Sequence, residues 1–123
     1  MAILLPLAQR TAHWRREIDF MEIRIRTVKD YQVFDILEDI TNENVPQLKD
    51  KVVLAHDAKF RKIALNFKNV TYVNSFALSV FMNIHKEMEK KGTTVSLANA
   101  APSIVALLKM TKLNEVFPVI GDL

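Results

Sequence analysis

Hydrophobic and polar residues alternate strictly over residues 22–27, which is the pattern of a β-strand with one buried face and one solvent-facing face. The pair Lys29-Asp30 favours a tight turn into the apolar stretch 31–37, so the two stretches predict a β-hairpin. Beyond the hairpin, the hydrophobic spacing predicts helices that alternate with strands. The predicted helices lie at about 45–58, 75–90 and 102–111, and the predicted strands at 62–67, 93–98 and 117–120.

This alternation of strands and helices predicts an α/β fold. Strands that are separated by helices pair in parallel through crossover connections. We therefore expect a mixed, mainly parallel sheet of four to five strands, with an N-terminal hairpin and three to four helices. The pattern divides the chain into a domain over residues 21–123 and an N-terminal extension over residues 1–20. That extension is an appended helix, an upstream extension of the reading frame or sequence added for expression.

The helix predicted at 75–90 carries its apolar residues on one face, at Ala77, Val80 or Phe81, Ile84 and Met88. The same spacing places polar residues on the solvent side, at Ser75, Ser79, Asn83, Lys86 and Lys90. Binding sites of parallel α/β folds usually lie in loops at the carboxyl ends of strands. The loop at residues 73–75, between a predicted strand and the predicted helix, is therefore the candidate binding loop. Ser75 is either an N-cap that accepts a backbone N–H or a hydroxyl open to modification. Phe76 is either a partly exposed aromatic or a flank contact of Val80.

Composition excludes several classes of function. The chain has 123 residues, half of them hydrophobic, which suits one globular domain. It has no cysteine and only two glycines, so it contains no disulfide, thiolate metal site, cysteine nucleophile or glycine-rich phosphate loop. The three histidines are too dispersed for a metalloprotease helix; they are His13, His56 and His85. We therefore expect no metal, no cofactor and no enzymatic activity.

The formal net charge is +3, but most basic residues are interleaved with acidic ones. The exception is Arg10, Arg15 and Arg16 around Trp14, and we interpret this cluster as a solvated helix face rather than a nucleic-acid site. The apolar stretch 1–8 is too short to span a membrane and lacks the flanks of a secretory signal. We therefore expect a cytoplasmic protein with no membrane span and no direct contact with nucleic acid.

The segment 65–78 reads LNFKNVTYVNSFAL, and it is followed by Gly92, by Leu97-Ala98-Asn99, by VALLKMTKL at 105–113 and by Phe117-Pro118. In this order and at these separations the residues resemble the STAS domain of anti-sigma factor antagonists. The match extends more weakly back to Met21, where the stretch 37–41 lies in the position of a G-E-L-D-like segment of that family. The resemblance covers about 100 residues.

This resemblance implies a non-enzymatic, protein-binding switch. In typical members the loop reads D-S-S-G-L. Its first serine is phosphorylated by an ATP-using anti-sigma kinase and dephosphorylated by a PP2C-type phosphatase. The unmodified form binds the anti-sigma factor and frees the sigma factor. That serine corresponds here to Ser75, while Asn74, Phe76 and Ala77 replace the family's aspartate, second serine and glycine.

The partner surface that the resemblance implies consists of the serine loop, the solvent side of the following helix and a nearby loop. Its residues are Asn74, Ser75, Phe76, Ser79, Asn83, Asp39, Thr41 and Asn42. A second interpretation is a non-switching STAS scaffold, or a subunit of a larger regulatory or lipid-transport complex. Such a protein would keep Ser75 as a helix cap and use Phe76 to anchor an interface.

Overall fold

The structure is a computed structural model that describes residues 21–123. The predicted extension over residues 1–20, with its arginine cluster, lies outside the described residues. The strands are β1 (Ile23–Val28), β2 (Tyr31–Ile36), β3 (Lys62–Asn66), β4 (Thr94–Ala98) and β5 (Val119–Ile120). The helices are α1 (Val45–Ala55), α2 (Ser75–Glu89) and α3 (Pro102–Met110), followed by a short 3₁₀ turn at Leu113–Glu115.

The five strands form one sheet in the order β1-β2-β3-β4-β5. The pair β1–β2 is antiparallel, and the other three pairs are parallel. Lys29 has a left-handed backbone, with φ 55°, in the tight turn between β1 and β2. These features confirm the predicted α/β fold with a mainly parallel sheet and an N-terminal hairpin.

The three helices within residues 21–123 bury their apolar stripes in one core on the same side of the sheet. The predicted stripe of α2 is confirmed, because Ala77, Val80, Phe81, Ile84 and Met88 are all buried. The sheet contributes alternate residues to this core, at Phe34, Ile36, Ile63, Leu65, Val95 and Leu97. The rings of Phe67 and Phe81 lie 5.4 Å apart at its centre.

The prediction that β1 has one buried face and one solvent-facing face is wrong. Ile25 is exposed, although Phe34, its partner in the neighbouring strand, is fully buried. The reason is position, because β1 is at the edge of the sheet and the helical core lies over the inner strands. Arg24 and Arg26 flank Ile25, and charged residues on an edge strand oppose pairing with another chain.

A buried carboxylate lies on the opposite face of the sheet from the helical core. Only 3% of the Asp35 side chain is exposed, and the carboxylate accepts hydrogen bonds from Arg26 at 2.7 and 3.1 Å, Arg24 at 3.2 Å and Asn66 at 2.7 Å. Burial raises the pKa of Asp35, but the bonds from Arg26, Asn66 and Arg24 outweigh it and hold that pKa below its ordinary value. The side-chain oxygen of Asn66 accepts a further hydrogen bond from the side-chain amide of Asn99. Asp35 is therefore the centre of a polar network that joins three strands and the loop after β4.

Candidate functional site

The candidate site is formed by the two loops that follow β2 and β3, together with the start of α2. Asn74 is the N-cap of α2, since its backbone is extended and its side-chain oxygen accepts the N–H of Ala77 at 2.9 Å. The prediction that Ser75 could be the N-cap is therefore wrong. Ser75 is the first helical residue, because the residue before it already supplies the capping oxygen.

Two side-chain contacts tie these loops together. The Asn74 amide nitrogen donates to the Asn42 side-chain oxygen at 2.7 Å. Asp39 accepts hydrogen bonds from the backbone N–H of Thr71 at 2.9 Å and from the Thr71 hydroxyl at 3.1 Å. The structure thus brings Asp39 and Asn42 from one loop against the loop that leads into Ser75.

Ser75 is exposed, and its hydroxyl has no hydrogen-bond partner within the described chain. The backbone N–H groups of Ser75 and Phe76 also lack an acceptor among residues 21–123, as expected at the beginning of a helix. The first turn of α2 carries no acidic residue. The helix dipole and the free N–H groups therefore favour negative charge at this position.

The other predicted residues of α2 lie along its exposed side. Ser79 is one turn beyond Ser75, and its hydroxyl donates to the backbone oxygen of Phe76 at 2.7 Å. Asn83 is exposed one turn further on. Phe76 is 47% exposed, so the prediction of a partly exposed aromatic beside the serine is confirmed.

Thr41 contributes to the site through the loop that follows β2. Its hydroxyl accepts the backbone N–H of Asn44 at 3.2 Å, and the Asn44 side chain accepts the backbone N–H of Thr41 at 2.8 Å. Asn44 precedes α1 but makes no side-chain capping bond there, because its side chain holds this loop instead. Thr41 therefore shapes the loop that presents Asn42.

An apolar groove beside Ser75 was not predicted from the sequence. It has a volume of about 420 Å³ and lies between the β3–α2 loop and α3. Its lining includes Tyr72, Asn74, Ser75, Ile104, Leu107 and Met110. Tyr72 is 65% exposed and Met110 is 80% exposed. The sequence carries one signal of this groove. Leu107 and Met110 lie three residues apart on α3, outside the stripe formed by the buried residues Ile104 and Leu108.

Comparison with known proteins establishes the family. The family model of the STAS domain matches residues 22–123. The chain belongs to the STAS family. This STAS domain is also 31% identical over 91 residues to the anti-sigma-B factor antagonist of Bacillus subtilis (strain 168). The aligned region covers 73% of this chain and 81% of that protein.

Solved structures share the fold of this STAS domain. A candidate anti-sigma factor antagonist from Thermotoga maritima superposes with a TM-score of 0.71 at 24% identity, covering 82% of this chain and 86% of that one. The Bacillus anti-sigma factor antagonist SpoIIAA in its unphosphorylated form gives 0.67 at 15% identity, covering 83% and 89%. Its phosphorylated form gives 0.61 at 14% identity, covering 83% and 92%.

The geometry of the site suits binding. Within the described part of the STAS domain, no group of three or more histidine or acidic side chains is arranged to hold a metal ion. No helix among residues 21–123 combines the length and the apolar character needed to cross a membrane. The site offers a free hydroxyl and unpaired N–H groups at the start of α2, with an exposed aromatic residue next to the hydroxyl and an apolar groove that Ser75 lines.

Proposed function

We propose that this STAS domain is an anti-sigma factor antagonist that binds an anti-sigma factor of the serine-kinase type and so frees a sigma factor in the cytoplasm. The observation that carries the proposal is the free, exposed hydroxyl of Ser75 at the first position of α2. It occurs in a chain 31% identical to the anti-sigma-B factor antagonist of Bacillus subtilis. The binding surface is formed by the two tied loops, Phe76 and the exposed side of α2.

In this proposal Ser75 is also the phosphoacceptor, and a PP2C-type phosphatase restores the free serine. A phosphate adds about −1.5 to −2 charges next to the unpaired N–H groups of Ser75 and Phe76, so the helix should tolerate it. The effect falls on the partner interface, where a buried phosphate without a counterion costs several kcal/mol. A penalty of about 3 kcal/mol already weakens binding more than 100-fold.

In the test, the chain is incubated with a kinase-type anti-sigma factor and ATP. Mass spectrometry of the intact chain then counts the added phosphates, and a titration measures its affinity for the anti-sigma factor. We expect one added phosphate on the parent chain and on Ser79→Ala, and none on Ser75→Ala. Ser79→Ala is the matched control because Ser79 is also exposed and lies one turn away on the same side of α2. We expect the phosphorylated chain to bind at least 100-fold more weakly. Unchanged affinity after stoichiometric phosphorylation of Ser75 would disprove the switch.

A second candidate function is a non-switching scaffold, and the exposed apolar side chains beside Ser75 and along the groove favour it. Phe76, Tyr72 and Met110 offer large apolar contact surface that needs no phosphate chemistry. Under this function Phe76→Ala weakens partner binding at least tenfold, and no phosphate is added to Ser75. Phosphate incorporation together with the loss of affinity described above would instead select the switch.

A further inference from the structure

The apolar groove beside Ser75 has a thioether in its wall. Met110 is the last residue of α3, lines the groove and is 80% exposed. The other three methionines among residues 21–123 belong to the helical core or pack against it, since Met21 and Met88 are buried and Met82 is partly buried. Met110 is therefore the methionine of the described chain that solvent reaches most freely.

The composition of the chain directs oxidation chemistry to this side chain. The chain has no cysteine, so a peroxide finds no thiolate to attack. Among the described residues that line the groove, Met110 alone carries sulfur. Its sulfur attacks one oxygen of hydrogen peroxide, the O–O bond breaks, and the leaving hydroxide takes the proton of the transferred oxygen. The products are methionine sulfoxide and water, so the sulfur loses two electrons and the peroxide gains them.

The groove is continuous with the surface that the proposed function assigns to the anti-sigma factor. Asn74 and Ser75 belong to that surface and also line the groove. A stable protein interface covers about 800 Å² on each partner, so a kinase that reaches the Ser75 hydroxyl also covers the groove. None of the described lining residues is charged, and Tyr72, Leu107 and Met110 make the groove apolar. The occupant that fits this chemistry is an uncharged, apolar side chain of the anti-sigma factor.

We propose that Met110 is a reversible oxidation site, at which a peroxide weakens docking of the kinase-type anti-sigma factor without any change at Ser75. The inference rests on the proposed function, because it concerns the same partner. The thioether is apolar and flexible, so it adapts to an apolar partner side chain. The sulfoxide carries a polar S=O group, and covering that group without a hydrogen-bond donor opposes binding. The free domain should tolerate the sulfoxide, because Met110 is largely exposed.

The first measurement needs no partner. The folded chain is treated with dilute hydrogen peroxide, and mass spectrometry of its peptides follows the oxidation of each methionine with time. We expect Met110 to oxidise at least tenfold faster than Met82 and Met88, which the core shields. Equal rates for Met110 and Met88 would overturn the inference.

The second measurement is a titration with the kinase-type anti-sigma factor after catalase has removed the peroxide. ATP is left out, so Ser75 stays unmodified. Met110→Leu is the matched control, because leucine keeps the wall apolar, lacks sulfur and leaves the other methionines in place. The affinity of each chain after peroxide is compared with its own affinity before. We expect peroxide to weaken binding of the parent about tenfold and to change that of Met110→Leu by less than about twofold. Equal responses of the two chains would overturn the inference.

Reduction and unfolding distinguish a change in the groove from damage to the fold. Methionine sulfoxide reductases A and B together should restore the affinity of the oxidised parent, since each reduces one epimer of the sulfoxide. The urea midpoint of the parent should change by less than about 0.3 M on oxidation. A larger fall that Met110→Leu does not share would show that the sulfoxide unfolds the domain, which overturns the inference, and so would a failure of reduction to restore binding.

The two proposals fail in different ways. An untreated parent chain that neither binds the anti-sigma factor nor accepts a phosphate from it contradicts the proposed function, and the inference falls with it. Normal binding before peroxide and equal binding after it contradicts the oxidation site alone.

Discussion

Replacing Asn74 tests whether one side chain both caps α2 and joins the two loops of the site. Asn74→Ala removes the capping bond to Ala77 and the bond to Asn42. Loss of an N-cap costs about 1 kcal/mol, and loss of a neutral hydrogen bond at the surface costs about 0.5 kcal/mol or slightly more. We therefore expect Asn74→Ala to lower the free energy of unfolding by about 1.5 to 2 kcal/mol.

Urea denaturation followed by far-UV circular dichroism measures this loss. With a urea dependence of about 1.5 kcal/mol per molar, the unfolding midpoint of Asn74→Ala should fall by about 1 M. Asn74→Asp is the matched control, because a carboxylate still accepts the Ala77 N–H and gains from the helix dipole. The Asn42 amide can rotate to donate to it. We expect the midpoint of Asn74→Asp to stay within about 0.3 M of the parent.

Asn42→Ala separates the two contributions, since it removes the bond between the loops and leaves the cap in place. Its midpoint should fall by only about 0.3 M. In the double variant, the effect of Asn42→Ala should largely disappear once Asn74 is alanine, because the two side chains share one bond. An equal loss of stability in Asn74→Asp and Asn74→Ala would refute the capping role of Asn74, and so would an unfolding midpoint of Asn74→Ala that matches the parent.

Three further substitutions test other parts of the fold by urea denaturation. Asp35→Asn should cost about 2 kcal/mol at pH 7, because Arg26 loses its carboxylate partner. The pKa of Asp35 is lowered in the folded state, so the contribution of its carboxylate to the free energy of unfolding is complete above pH 4 and declines as the pH falls further. An equal stability difference between the parent and Asp35→Asn at pH 7 and at pH 3 would contradict this. Gly92→Ala should lower the free energy of unfolding by about 1 kcal/mol, because Gly92 has φ +72°, a conformation that alanine adopts with strain. The new Cβ would also lie 3.3 Å from the guanidinium of Arg61, which can move away. A gain in stability would refute this prediction. Phe81→Ala should cost about 3 to 5 kcal/mol by opening a cavity in the core, and a loss below about 1 kcal/mol would show that the core closes around it.

The elements could be predicted from the sequence because each has a local signal. The stripe of α2 and the hairpin turn at Lys29 follow from spacing and turn chemistry within a few residues. The N-cap was harder, because Asn74 and Ser75 are both good capping residues and the choice depends on which backbone is extended. The network around Asp35 depends on the pairing of strands distant in sequence, so no local pattern reveals it.

The site was predictable to a similar extent. The exposure of Ser75 and Phe76 follows from their positions relative to the buried stripe. The groove beside them depends on where α3 packs against the loop after β3, which is a tertiary arrangement.

The order of the strands in the sheet is also their order along the chain, and this bears on how the protein folds during synthesis. Each parallel pair from β2 to β4 closes a loop of only about 30 residues. Among the described strands, none has to wait for a partner from the far end of the chain, so the sheet can grow one strand at a time as the ribosome releases it. The loop bearing Ser75 is therefore completed before β4 joins the sheet, whereas the groove beside it exists only after α3 has emerged and docked.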